Sequence, residues 1–155
     1  MATIDTHTTA RSTPDVQAGR PATEVSLTRV GVRGVEKVIT VADRLYFAEL
    51  ECFVDLNPQQ AGVHMSRFEE IVNEAIDAAI LVDTLRAEAL ASHIAEQVRE
   101  RQGGLRAEVK VAARYPQTVR TPVSGLETQE IYTLHGTAVA SERGTRRLTG
   151  VPCRV

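Results

Sequence analysis

Three polar side chains lie close together at the predicted start of a helix: His64, Ser66 and Arg67. The backbone N–H groups and the dipole of a helix N-terminus make this end of a helix a binding site for anions. The same dipole disfavours an arginine in the first turn by about 0.3–1 kcal/mol, which suggests that Arg67 has another task. Arg67 could bind a phosphate or a carboxylate of another subunit. The alternative is that Arg67 points to solvent and that His64 only supports the loop.

Other patterns that carry chemistry are absent from the sequence or weak. The nucleotide-binding patterns G-x-x-x-x-G-K-[ST] and G-x-G-x-x-G do not occur, and neither do C-x-x-C, H-E-x-x-H and G-x-S-x-G. Gly31 and Gly34 form a G-x-x-G pair like that of RNA-binding KH loops, but here the pair interrupts a predicted strand instead of joining two helices. These patterns therefore give little support to an RNA-binding module, a zinc cluster or a serine hydrolase.

The remaining histidines and one cysteine have ordinary structural interpretations. His7 lies in a polar N-terminal stretch, His93 in the middle of a predicted helix and His135 on a predicted strand, where a structural role is favoured. Cys52 lies among the apolar residues of its strand, which indicates a core position.

The composition is that of an ordinary globular domain. The chain has 155 residues, of which 43% are hydrophobic and 25% charged, and a net charge of −2. This charge gives no field that would attract nucleic acid or an anionic membrane, so neither is expected as a partner. Two cysteines are too few for a disulfide scaffold, and no apolar run approaches the roughly 18 residues that cross a bilayer. We expect a cytoplasmic protein with a disordered tail over residues 1–24 and one folded module over residues 25–155.

The first half of the module has the pattern of a β-hairpin. Residues 25–41 are rich in β-branched side chains and contain two glycines, which predicts a long strand with a bulge. Residues 48–56 alternate between apolar and mostly polar side chains and predict a second strand that ends at Asn57-Pro58. The two strands are close enough in sequence to pair with each other.

The period then changes from two to about 3.6 residues, which predicts two helices. Ser66 and Glu69 fit a capping box with Ser66 as the N-cap of the first helix. A second helix is predicted to start at Asp83 and to stop at Gly103-Gly104. The apolar stripe of the first helix comprises Phe68, Ile71, Val72, Ala75, Ile76, Ala79 and Ile80, and that of the second comprises Leu90, Ile94 and Val98.

Strand alternation resumes after the second helix. Residues 105–113 predict a strand, residues 115–128 a loop that contains proline and glycine, and residues 130–140 another strand. A turn at Gly144 and a final strand from residue 146 follow. Strands and helices are thus segregated along the chain, which predicts an α+β fold with a mostly antiparallel sheet and both helices on one face. The other face of the sheet is not uniformly polar and is expected to contact another subunit.

Five stretches of the sequence resemble the GTP cyclohydrolase IB family, which includes the archaeal-type enzymes. The most specific stretch is His64-Met65-Ser66-Arg67-Phe68. Val63 is a mild departure, because the family usually has threonine at this position. The other four occur in the family's order: Asp15-Val16-Gln17, Arg29-Val30-Gly31-Val32, Pro122-Val123-Ser124-Gly125 and Thr149-Gly150-Val151-Pro152.

The resemblance implies a tunnelling fold, whose unit has the order ββααββ. Members of the family carry two such units in tandem and form homo-oligomers with active sites at the interfaces. They convert GTP and water to formate and a dihydroneopterin phosphate for folate or related pterins, with a divalent metal (Zn, Mn or Fe) that activates the water. By this resemblance His64 is expected to be catalytic, and Ser66 and Arg67 are expected to bind substrate.

One departure concerns the metal. The family's metal-binding cysteine belongs to a Cys-Pro-Cys segment, and the sequence stops at Val155 apparently just before that segment. Cys153 aligns better with the strand that leads into it, so no residue is assigned as a metal ligand and the ligands are expected beyond Val155. The chain alone is therefore expected to be an incomplete and inactive N-terminal module. The alternative is a non-catalytic tunnelling-fold module that assembles with or regulates a pterin enzyme.

Overall fold

The computed structural model describes residues 19–80 and 85–152. These residues form an α+β fold, as predicted, and its elements follow in the order ββααβββ. There is thus one strand more than in the ββααββ order implied by the resemblance. The predicted tail lies mostly outside the described residues. The strands are β1 (Val30–Val41), β2 (Arg44–Asp55), β3 (Arg106–Arg120), β4 (Glu127–Ser141) and β5 (Gly144–Gly150), and the helices are α1 (Met65–Ile80) and α2 (Ala87–Arg101).

All five strands belong to one antiparallel sheet in the order β1-β2-β3-β4-β5. The predicted hairpin of β1 and β2 is confirmed, and it turns through Ala42 and Asp43, which both have positive φ (47° and 63°). Two consecutive residues of this kind match the right-handed twist of the paired strands. The predicted bulge is also confirmed, because the register shifts between Val32 and Val35. β1 begins at Val30, five residues later than predicted.

The core lies between one face of the sheet and the two helices. α2 packs across β3, β4 and β5, whereas α1 packs against α2 and β1. The alternation predicted for β2 and β3 is confirmed by their burial, although Leu105 is exposed. Among the fully buried side chains of this core are Leu50, Cys52, Phe68, Ile71, Val72, Ile94, Val98, Val109 and Val111.

The loop predicted over residues 115–128 is wrong. β3 continues to Arg120 and β4 starts at Glu127, so the two strands form a long hairpin whose connection has only six residues. Pro116 pairs with Ile131 of β4, but the pairing of β2 with β3 ends at Arg114. A proline lacks a backbone N–H and is tolerated in a strand that has a partner on one side only.

The helix starts also differ from the predictions, whereas the predicted end of α2 is confirmed. α1 begins at Met65, so Ser66 lies inside the first turn and the predicted capping box is wrong. Glu69 instead accepts a hydrogen bond from Lys37 of β1 at 3.3 Å.

Asp83 lies outside the described residues, but Arg86 has an extended backbone, so α2 starts after the predicted residue. α2 ends where predicted because Gly103 has a φ of +63°, a conformation that terminates a helix.

No helix in residues 19–80 and 85–152 combines the length and the apolar character that a bilayer crossing requires.

Gly136 of β4 allows α2 to approach the sheet closely. A Cβ at this position would lie 2.2 Å from the carbonyl carbon of Ala87 and 2.4 Å from the backbone nitrogen of Glu88. We therefore expect Gly136→Ala to lower the free energy of unfolding by about 1–3 kcal/mol, as overpacking does. Urea denaturation followed by circular dichroism measures this change.

Gly150→Ala is the matched control for this prediction. Its added Cβ would lie 3.7 Å from the Cβ of His135, which is an ordinary contact, so the free energy of unfolding should change by less than about 0.5 kcal/mol. Equal unfolding midpoints for the two variants would contradict the close packing of α2 on β4.

Candidate functional site

His64 is half-buried and lies directly before α1. Its backbone forms two hydrogen bonds with the side-chain amide of Gln102. The His64 N–H donates to Gln102 Oε1 at 3.2 Å, and Gln102 Nε2 donates to the His64 carbonyl at 2.9 Å. The same carbonyl accepts a bond from the N–H of Arg67 at 3.2 Å, which closes the first turn of α1. The start of α1 is therefore fixed by a residue that is 38 positions away in the sequence.

Gln102 occupies the C-terminal end of α2 and is only 5% exposed. Its N–H donates to the carbonyl of Val98 at 3.0 Å, and its own carbonyl accepts a bond from Gln60 Nε2 at 2.9 Å. Gln60 Oε1 in turn accepts from the N–H of Asn57 at 3.1 Å. These bonds connect the end of α2 to the whole loop between β2 and α1.

Arg67 is half-buried, and its side chain turns towards the end of α2. Its Nη1 donates a hydrogen bond to the carbonyl of Arg101 at 3.1 Å. A cation at the C-terminus of a helix is favourable, because this end carries the negative part of the helix dipole. The structure thus gives Arg67 a local partner, so the alternative in which it simply points to solvent is wrong.

The other residues of this segment divide between the core and the surface. Phe68 is 1% exposed and anchors the first turn of α1 in the core. Met65 and Ser66 are exposed, so the Ser66 hydroxyl lies on the surface of the same turn. The first turn contains no acidic residue that would repel an anion. Backbone N–H groups and the Ser66 hydroxyl therefore lie at the start of α1, with the Arg67 guanidinium directed to the adjacent end of α2, and donors of these types suit phosphate or carboxylate binding.

An ion pair joins the two helices beside this site. Arg101 donates through both terminal nitrogens to the carboxylate of Glu74 on α1, and through Nε to Gln97 Oε1 at 3.2 Å. The hydrogen bond from Arg101 lowers the pKa of Glu74. The pair is exposed to solvent, where such pairs contribute little to stability, and it links the C-terminal end of α2 to α1.

A second polar cluster lies on the face of the sheet that the helices leave uncovered. Arg29 and Arg106 contact the two oxygens of the Glu108 carboxylate at 3.3 and 2.9 Å, and the Arg29 guanidinium lies 4.4 Å from the ring centroid of Phe53. Burial alone would raise the pKa of Glu108, but the hydrogen bonds from Arg106 and Arg29 hold it below its usual value. Glu108 therefore remains a carboxylate with both arginines bound to it.

The other sequence candidates lie apart from the His64 segment. His93 is exposed on α2 and His135 is exposed on β4. Cys52 is fully buried, which confirms its core assignment, and burial raises the pKa of its thiol to about 12. His7 and Cys153 lie outside the described residues.

Within the described ranges no three His, Cys, Asp or Glu side chains are grouped so that they could hold a metal ion.

The sequence analysis found His64, Ser66 and Arg67 but missed Gln102 and Gln60. Gln102 directly precedes Gly103-Gly104, and only the helix-ending role of these glycines was recognisable. The available signal was a glutamine directly before the predicted helix stop. Its partner could not be identified from the sequence, because the two residues meet only after both helices have packed on the sheet.

Comparison with known proteins matches residues 13–155 to the family model described as "Type I GTP cyclohydrolase folE2". Two similar relatives are each named GTP cyclohydrolase MptA. The protein from Haloarcula marismortui is 36% identical over an alignment of 154 residues, and the match covers 90% of this chain and 50% of the relative. The protein from Haloferax volcanii is 36% identical over an alignment of 143 residues, and the match covers 88% of this chain and 46% of the relative.

A third relative of the same name, from Methanoculleus marisnigri, is 32% identical over an alignment of 133 residues, and the match covers 82% of this chain and 42% of the relative. The chain thus spans about half the length of the relatives that it matches. The family match nevertheless covers nearly all of the chain, including the His64 segment and the sheet that supports it. The chain therefore belongs to the type I GTP cyclohydrolase folE2 family.

Proposed function

We propose that this chain is the first of two tunnelling-fold modules in a GTP cyclohydrolase of the IB type. The whole enzyme would convert GTP and water to a dihydroneopterin phosphate and formate, as a step towards folate or related pterins. One observation carries the proposal: His64, Ser66 and Arg67 lie together at the N-terminal end of α1 in a chain that matches the family over residues 13–155.

The roles proposed for these residues follow from their positions. Ser66 and Arg67 lie in the first turn of α1, where the backbone N–H groups attract the phosphates of a nucleotide. His64 precedes that turn and is half-buried, so an imidazole that can serve in general acid–base catalysis lies beside the proposed phosphate site. We therefore assign phosphate binding to Ser66 and Arg67, and proton transfer to His64.

The metal of the proposed reaction has to be held elsewhere. The described residues do not provide three grouped His, Cys, Asp or Glu side chains, so they do not form a metal site by themselves. The chain covers about half of its relatives, which is consistent with Zn²⁺, Mn²⁺ or Fe²⁺ ligands beyond Val155. The contribution proposed for this module is therefore substrate binding and proton transfer.

We further propose a homo-oligomer with active sites at its interfaces. The sheet face without helices displays the exposed apolar side chains Val38, Leu45 and Phe47 at one end of the β1–β2 hairpin. Burying such side chains against another subunit is favourable by about 25 cal/mol per Å² of apolar surface. This face would then be continuous with that of the next module.

Release of formate from GTP in the presence of Mn²⁺ or Zn²⁺ tests the proposed reaction. The native protein should release formate, whereas the isolated 155-residue chain should not. Formate release by the isolated chain would contradict the division of the active site between two modules. A native protein that folds and binds metal but leaves GTP unchanged would favour the alternative of a non-catalytic tunnelling-fold module.

His64→Ala should lower the kcat of the native enzyme by about 10²–10⁴-fold, because it removes a proton-transferring group. Steady-state formate release measures kcat. His93→Ala is the matched control, since His93 is an exposed histidine on the other helix. A His64→Ala enzyme with the turnover of His93→Ala would remove His64 from the catalytic step.

Ser66→Ala and Arg67→Ala should each raise the KM for GTP by about 10-fold or more, because each removes a hydrogen bond to a charged group. Ser66 is exposed, so its replacement should leave the melting temperature unchanged. Arg67→Lys, which keeps the positive charge, should have a smaller effect on KM than Arg67→Ala. An unchanged KM in both alanine variants would exclude the two residues from the phosphate site.

The isolated chain should self-associate at micromolar concentration in light scattering, because the helix-free face is open to other copies. Phe47→Ser should reduce this association, since Phe47 is an exposed side chain of that face. Leu105→Ser is the control, because Leu105 is similarly exposed but precedes β3 at the end of α2. A monomeric wild-type chain would contradict the proposed role of this face.

A further inference from the structure

We propose that Gln102 is a positioning residue of the active site. It holds His64 in the position required for proton transfer. This inference rests on the function proposed above. Gln102 belongs to none of the stretches that resemble the family, and it lies on a different helix from the residues that it would position. It would act through the backbone of His64 and would not contact the substrate.

The geometry of the amide supports this role. Gln102 Oε1 and Nε2 bind the N–H and the carbonyl of the same residue, so the side chain pairs with His64 as a neighbouring strand would. Two hydrogen bonds to one residue fix both the position and the orientation of its peptide groups. Because Gln102 is only 5% exposed, water cannot readily replace these bonds.

Gln102 can position His64 only if it is itself held in place. Its backbone is fixed on both sides by Val98 and Gln60. Directly after it, the N–H of Gly104 donates to the carbonyl of Arg99 at 2.8 Å, and the N–H of Leu105 donates to the carbonyl of Asp55 at 2.9 Å. The end of α2 is thus hydrogen-bonded to β2, and the sheet is the rigid base from which His64 is placed.

The same helix end also holds Arg67. The carbonyl of Arg101 binds Arg67 Nη1, while the adjacent side chain of Gln102 binds His64. Two consecutive residues of α2 therefore set the relative positions of the proposed acid–base group and the proposed phosphate-binding group. A shift of about 1 Å between such groups can lower a reaction rate about 10²-fold.

Gln102→Met in the native enzyme tests the inference, since methionine has a similar length and no hydrogen-bonding amide. We expect kcat to fall about 10- to 100-fold, with the KM for GTP changed less than threefold, because Arg67 keeps its hydrogen bond to the carbonyl of Arg101. Gln97→Met is the matched control: Gln97 is a half-buried glutamine of the same helix that bonds to Arg101 and not to His64. The kcat of the Gln97→Met enzyme should stay within about twofold of that of the wild type.

A second variant covers the case in which Gln102→Met does not fold. Gln102→Glu keeps the acceptor for the His64 N–H and regains a donor for the His64 carbonyl only when its carboxyl is protonated. Its kcat relative to wild type should therefore rise as the pH is lowered. If the ratio of the kcat of folded Gln102→Glu to the kcat of wild type is independent of pH, the inference is overturned.

Hydrogen exchange separates this inference from the proposed function. In the native protein, backbone amides 64–67 should exchange at least 10-fold faster in Gln102→Met than in Gln97→Met. Faster exchange together with a lower kcat supports the positioning role. Unchanged exchange, or unchanged kcat despite faster exchange, overturns it. A wild-type protein without cyclohydrolase activity refutes the proposed function, and exchange alone then decides whether Gln102 holds this segment.

Discussion

The hydrogen-bonded pairing of Gln102 with the backbone of His64 is the contact on which the site depends. It joins the C-terminal end of α2 to the N-terminal end of α1, two helix ends that each leave backbone groups without helical partners. A buried donor or acceptor without a partner would destabilise the fold by about 1–3 kcal/mol, so each side of the pair requires the other. The residue that precedes the first turn of α1 takes its position from this pairing, whereas Arg67 in that turn is held by the carbonyl of Arg101.

The two faces of the sheet differ in their chemical character. One face is covered by both helices and holds the buried core, including Cys52, whose thiol is kept protonated by burial. The other face carries the Glu108 cluster and exposed apolar side chains such as Phe47. A face of this mixed character is suited to contact with another protein surface, because the charges of the Glu108 cluster are already paired within the chain.

Family membership and the structure support different parts of the proposed function. The chain matches the folE2 family over residues 13–155 and spans about half the length of its MptA relatives. Within the described residues, it has a helix end that suits an anion and no group of three metal-binding side chains. The role proposed for this module, binding of the substrate phosphates, rests on that helix end.

The sequence by itself determined the α+β class, the β1–β2 hairpin and the end of α2, because periodicity and glycine conformation act over a few residues. The family motif likewise located His64 and Arg67. The tertiary structure decided what depends on distant partners. Pro116 remains in a strand because the pairing of β2 with β3 ends at Arg114, and α1 begins at Met65 because Gln102 holds the residue before it. Hydrogen bonds between residues 38 positions apart leave no periodic signal, so only the packed helices reveal them.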